Sequence, residues 1–144
     1  MAGEKGNVWI NDYFKLLFTA TAVATIADNA ATTPLANLYV SLHTADPTAA
    51  GNQSSNETAY TSYARVAVSR SGTGWTVTGQ TVTPASAITF PACTGGNSII
   101  TYFGVGTLVS GVGKLLYAGP LTPNISVSTG VTPLVTTATT LTEA

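Results

Sequence analysis

Ser98-Ile99-Ile100-Thr101-Tyr102-Phe103-Gly104-Val105 is the most strand-like run of the chain. It is rich in β-branched and aromatic side chains, which suit the half-buried pleated surface of a sheet. The same grammar continues on both sides. Downstream, Gly111-Val112-Gly113 leads into Lys114-Leu115-Leu116-Tyr117-Ala118, and Asn124 to Ser128 and Leu134 to Leu141 follow. Upstream lie Ala87-Ile88-Thr89-Phe90, Thr81-Val82-Thr83 and Trp75-Thr76-Val77-Thr78, separated by Gly79-Gln80 and preceded by the turn Ser71-Gly72-Thr73-Gly74. Tyr63 to Arg70 alternates imperfectly, and Leu38-Tyr39-Val40-Ser41-Leu42-His43-Thr44 places Leu38, Val40 and Leu42 on one face. Turn signals at short intervals between short strands predict an all-β fold: a β-sandwich or jelly roll of about 7–9 short strands with one N-terminal helix.

That helix is expected ahead of Pro34. Leu16, Leu17, Ala20, Val23, Ala24 and Ala27 fall near helical spacing, with Asn11 or Asp12 as a cap and Asn29 as a stop. The run resembles the apolar core of a signal peptide, but Glu4 and Asp12 stand where such a peptide is positive, so a packed helix is favoured, with a cleaved signal as the alternative. The expected organisation is an N-terminal arm over 1–11, a helix over 12–30 and a β-sandwich domain over 35–144. Trp9 and Ile10 are the arm's possible anchors. Ala45-Asp46-Pro47-Thr48 reads as a turn, and residues 49–58 as a polar surface loop.

Charge narrows the function classes. The chain has 5 Lys+Arg and 6 Asp+Glu, 8% of its residues, against about 25% in ordinary soluble proteins. From Ser71 to Thr142 the one charged side chain is Lys114. Such a surface has little electrostatic protection against self-association, which points to a component covered by identical copies or by another protein. A net charge of −1 provides no basic field for nucleic acid or anionic lipid, so neither nucleic acid nor membrane is expected as a partner.

The chemistry-bearing residues are sparse. His43 is the only histidine and Cys93 the only cysteine. Pro91-Ala92-Cys93-Thr94-Gly95 has no catalytic signature, and His43 ahead of Thr-Ala-Asp-Pro reads as a residue that fixes a turn by hydrogen bonding. One histidine, one cysteine and scattered carboxylates do not make a zinc set, and the loop between Asp46 and Glu57 lacks the alternating oxygens of a calcium loop. Gly104, Gly106, Gly111 and Gly113 lack the lysine-serine ending of a phosphate loop and fit a β-hairpin with a long flexible tip. The expectation is no catalytic residue, no metal and no cofactor. The sequons at Asn52, Asn56 and Asn124 are a pattern common by chance.

Five segments together carry a resemblance: Leu38 to Pro47, Tyr63 to Val68, Ile88 to Ala92, Thr101 to Gly106 and Gly113 to Gly119. In order and spacing the chain resembles, over about residues 35–142, a family of small virion proteins of tailed bacteriophages, labelled either tail fibre proteins or capsid decoration (cement) proteins. The resemblance implies a non-enzymatic structural protein of the virion. A decoration protein would sit on the capsid exterior after assembly in the host bacterial cytoplasm, with the phage major capsid protein as partner. A tail fibre or tail-tip component would contact the host receptor. Small size and the lack of an internal repeat favour decoration. The charge-poor half predicts a homo-oligomer, a homotrimer or else a dimer. Trp9, Ile10 and Leu108 are the expected apolar partner-binding residues. Arg65 and Arg70, the only cations between Lys15 and Lys114, are expected either to meet an acidic shell or to pair internally with Asp46 or Glu57.

Overall fold

The computed structural model describes residues 5–23, 26–27 and 33–143. They form one helix, α1 (Asn7–Thr19), and nine strands: β1 (Asn37–His43), β2 (Val66–Ser69), β3 (Trp75–Thr78), β4 (Thr81–Pro84), β5 (Ile88–Thr89), β6 (Asn97–Gly106), β7 (Leu115–Ser128), β8 (Leu134–Val135) and β9 (Leu141–Thr142). The strands lie in three antiparallel sheets with orders β2-β1-β6-β7, β3-β4-β9 and β5-β8, so the fold is all-β with an N-terminal helix.

The chain divides into two compact units. The first comprises 1–36, 69–87 and 136–144. Here α1 buries Ile10, Phe14 and Phe18, spaced four apart on one face. Phe18 meets Trp75 of β3 edge-on, with ring centroids 5.0 Å apart. The hairpin β3–β4 pairs Thr78 with Thr81 across a turn whose Gly79 has φ +58, and β9 adds through Val82 and Leu141.

The helix starts earlier and stops sooner than its alanine-rich pattern predicts. Gly6 caps it in an extended conformation, so residues 7–11 are helical instead of belonging to an arm. At the other end Ala20 turns left-handed at φ 54, and the Thr19 hydroxyl and the Thr21 N–H both donate to the Lys15 carbonyl, at 2.7 and 3.1 Å. The aromatic positions, which bury most area, outcompete the weak Ala/Thr periodicity beyond Thr19. The part of the expected helix at 24–25 and 28–30 lies outside the described residues, as does 1–4 of the expected arm. The strands β3, β4 and β9, expected inside the sandwich domain, belong to the helix's unit.

The second unit comprises 37–68 and 88–135. Its centre is β1 against β6, in register from Tyr39 opposite Gly106 to His43 opposite Tyr102. Leu38, Val40 and Leu42 are buried on one face as their alternation predicts, and Val105 and Phe103 of β6, opposite Val40 and Leu42, are buried with them. Ser41 and His43, on the opposite face, are fully buried as well, because the loop after β1 folds back over them. Strand β7 is longer than its sequence suggests: Leu115–Ala118 and Asn124–Ser128, read as parts of separate runs, lie in one strand across Pro120 and Pro123. It pairs with β6 from Asn97 opposite Ser128 to Gly106 opposite Leu115, with register shifts at Ile100/Tyr102 and Val105/Gly106.

Candidate contact site at the tip of the β6–β7 hairpin

The polar loop after β1 is built inward. Asp46 opens it by accepting the Thr48 N–H at 2.8 Å, and the Asn56 side chain donates to the Asp46 carbonyl at 2.8 Å. His43 then fastens its far side. His43 Nδ1 lies 2.8 Å from the Ser55 carbonyl, which only accepts, so Nδ1 carries the proton. Nε2 is left to accept from the Ser41 hydroxyl at 2.9 Å. Burial holds the imidazole pKa below its ordinary value, so the ring is neutral at pH 7. The turn-fixing role expected for His43 is what the geometry gives.

Gln53 is the loop's inward anchor. Although it lies in a stretch of polar residues, it is fully buried. Its amide donates to the Tyr39 carbonyl at 3.2 Å and accepts the Leu108 N–H at 2.9 Å. Its own N–H donates to the Gly113 carbonyl at 3.0 Å. Gly106 and Gly113 leave the space it fills: a Cβ at Gly106 would lie 2.1 Å from Gln53 Cδ, and one at Gly113 2.0 Å from Oε1. A Cβ at Gly104 would stand 2.7 Å from His43 Nε2. The hairpin expected from these glycines is therefore present, and they serve to admit Gln53 and His43.

Arg65 completes the support. Its Nε donates to Glu57 Oε1 and one terminal nitrogen to Oε2, both at 2.7 Å. The same nitrogen donates to the Gly111 carbonyl at 2.8 Å, and the other terminal nitrogen to the Leu108 carbonyl at 3.0 Å. Hydrogen bonding to Glu57 raises the guanidinium pKa still further. Tyr63 donates to Glu57 Oε1 at 2.8 Å and accepts the Leu42 N–H at 3.0 Å, and burial pushes its phenol pKa up. Ser54 Oγ also donates to the Gly111 carbonyl, at 2.8 Å.

The result is a hairpin tip over 107–114 whose backbone is held from beneath at Leu108, Gly111 and Gly113. In place of a long flexible tip, the structure has a fastened one. Above this support Leu108, Val109 and Val112 are 46%, 60% and 74% exposed. Beside the tip is an open depression of about 450 Å³, lined on one side by Thr58, Ala59, Tyr60 and Ser62 and on the other by Val109 and Ser110. Such an arrangement offers a preorganised apolar contact surface. Both ring nitrogens of His43 are engaged, Cys93 is buried with its thiol directed to the Gly95 carbonyl at 3.2 Å, and among the described residues no group of His, Cys, Asp and Glu is placed to hold a metal.

The expected contact residues fall in different places. Leu108 is on the tip. Arg65 is beneath it, buried, in the internal pair with Glu57 that was one of its two expected roles. Arg70 is in the other unit, where its guanidinium donates to the carbonyls of Leu17, Leu35 and Leu16 at 2.8, 2.8 and 2.9 Å and so closes the end of α1; neither Asp46 nor Glu57 is its partner. Ile10 is fully buried in α1, and Trp9 is 39% exposed on the same helix beside Tyr13. Sequence reasoning missed Gln53, Val109 and Val112. Gln53 sits in a loop of polar residues with no local sign of burial, and the two valines flank glycines that drew attention to backbone alone.

Among the described residues no helix is long and apolar enough to cross a membrane. The family described as Podophage GP4 fiber I protein gp80 matches residues 17–142, from within α1 to the end of β9. No curated protein matches the chain.

Proposed function

We propose a fibre role for this chain, which belongs to the Podophage GP4 fiber I protein gp80 family and is thus a tailed-phage structural protein. In this reading it is a component of a fibre on the phage particle and works by surface contact, without turnover of a substrate. The observation that carries the proposal is the match over 17–142, which takes in the hairpin tip together with the Gln53 and Arg65 that hold it. The tip supports the same reading: a contact protein gains from an apolar surface whose backbone is already fixed, because little ordering entropy remains to oppose binding.

Capsid decoration is the second reading. It is favoured by the absence of any internal repeat in the 144 residues, since a fibre shaft is commonly built from repeats. In that case the partner is the major capsid protein and the location the capsid exterior. Particles assembled without the protein separate the two. The fibre reading expects intact, heat-resistant heads with impaired adsorption to host cells. Normal adsorption with heads that burst on mild heating would overturn it in favour of decoration.

A further inference from the structure

His43 is fully buried under the loop that it fastens. Its two hydrogen bonds respond differently to a second proton. The bond from Nδ1 to the Ser55 carbonyl, at 2.8 Å, survives. The other does not: Nε2 accepts the Ser41 hydroxyl at 2.9 Å, and once protonated it can only donate. Ser41 is itself fully buried and has no second hydrogen bond among the described residues, so a reversed hydroxyl leaves its own proton without an acceptor.

The new charge also lacks a counter-ion. The charged groups that bear on His43 are Glu57, at the end of the loop, and Arg65, ahead of β2. Both Glu57 oxygens are already engaged by Arg65, and Oε1 by Tyr63 as well. Strand β6 sets Tyr102 opposite His43 and Gly104 opposite Ser41, and β7 brings Leu115 close to Gly104; none of these is a carboxylate or a base. A buried charge without a partner is relieved by admitting water, and what stands between the ring and water is the loop over 49–58. Besides Nδ1, its far end is tied to β1 by the Thr44 N–H on the Asn56 carbonyl at 2.8 Å and the Thr58 N–H on the Leu42 carbonyl at 2.9 Å. The same loop carries Gln53 and Ser54, which hold the tip at Leu108, Gly111 and Gly113.

We propose that His43 is an acid-sensitive latch: a second proton on its imidazole lifts the loop over 49–58 away from β1 and unfastens the hairpin tip over 107–114, while β1 and β6 stay paired. The contact surface is then firmly held at neutral pH and loosened in acid. The burial that keeps the ring neutral at pH 7 agrees with this direction. The latch acts wherever on the particle the chain sits, so its failure leaves the fibre reading standing.

The test is hydrogen exchange of the full chain, read peptide by peptide by mass spectrometry at about pH 7.5 and about pH 5 and corrected for intrinsic exchange. Protection over 49–58 and 107–114 is expected to fall by about 10- to 30-fold at the lower pH, the factor set by an opened state that binds the proton with the ordinary affinity near pH 6.5. Protection over β1 and β6 is expected to hold. In His43→Gln, which keeps a donor and an acceptor but does not titrate, the acid response of both segments is expected to vanish. Its persistence in that variant would assign the response to Glu57 and overturn the latch. Unchanged protection of the loop in the wild type, loss that extends equally to β1 and β6, or a loop that opens while the tip stays protected would each overturn it too. Should His43→Gln fail to fold, the wild-type ring decides by its own titration in nuclear magnetic resonance: a midpoint well below the ordinary value supports the latch, and one at or above that value overturns it.

Discussion

Arg65 and Glu57 form a two-pronged pair, Nε to Oε1 and a terminal nitrogen to Oε2, each at 2.7 Å. The arginine side chain is 2% exposed and the glutamate 15%. A buried pair of this kind gains little net stability against an apolar replacement, because both charges give up water. What it supplies is position. The guanidinium also reaches the carbonyls of Leu108 and Gly111, and through them fixes the tip that carries the exposed valines.

Arg65→Ala should therefore destabilise the protein by about 3 kcal/mol, since it leaves the Glu57 carboxylate poorly solvated and unpaired. Arg65→Lys should recover part of this, because one ammonium does not reproduce a fork that serves a carboxylate and two carbonyls. Urea unfolding measures both. A loss within about 0.5 kcal/mol for the alanine variant, the range of ordinary surface changes, would remove the pair from the account of the tip.

Gly106→Ala should cost about 1–3 kcal/mol, as overpacking does in a filled interior. The new methyl would overlap Gln53 Cδ at 2.1 Å. Combining it with Gln53→Ala makes room, so the double variant should lose less than the sum of the two single changes. Strict additivity in the same unfolding assay would mean that Gln53 does not fill the space above Gly106.

The pH dependence follows from His43. Burial lowers its pKa in the folded state, and the unfolded chain titrates near 6.5. Above that pH both states are neutral and the group contributes no slope. Below it the unfolded state binds a proton that the folded state resists, so folding stability falls as pH drops through about 6.5. Unfolding free energies at pH 7.5 and 5.5 should show this loss in the wild type and less of it in His43→Gln. An equal slope in both would assign the acid sensitivity to other groups.

Arg70→Ala should cost about 1–2 kcal/mol, the scale of charge-assisted hydrogen bonds to a helix end. The loss should be read in the helix itself, as faster amide exchange in the last turn of α1, where Leu16 and Leu17 accept from Arg70. Unchanged exchange there would contradict the capping role.

The fold class was legible because strand and turn signals are local. The alternation of Leu38, Val40 and Leu42 and the β-branched run ending at Val105 each place a residue on a face without reference to anything distant. The helix boundary was less legible. Its decisive residues, Ile10, Phe14 and Phe18, straddle the expected boundary between arm and helix, whereas the alanines after Thr19 read as a helical stripe. At the site, Arg65 could be narrowed to an internal pair with Asp46 or Glu57 or to an external partner, because an arginine in so uncharged a chain has few candidates; the structure selects Glu57. The role of Gln53 was hidden, since it depends on two glycines 53 and 60 residues further along the chain that face it only after β6 and β7 pair. Exposure of Val109 and Val112 was hidden for the same reason: apolar residues between glycines read alike whether a tip packs inward or projects.

The most direct test of the central claim is location. Antibody-gold labelling of purified particles, read by electron microscopy, reports where this chain sits. The fibre account predicts label on appendages outside the head shell, absent from particles assembled without the protein. Label spread over the head surface, or no label on purified particles at all, would contradict it.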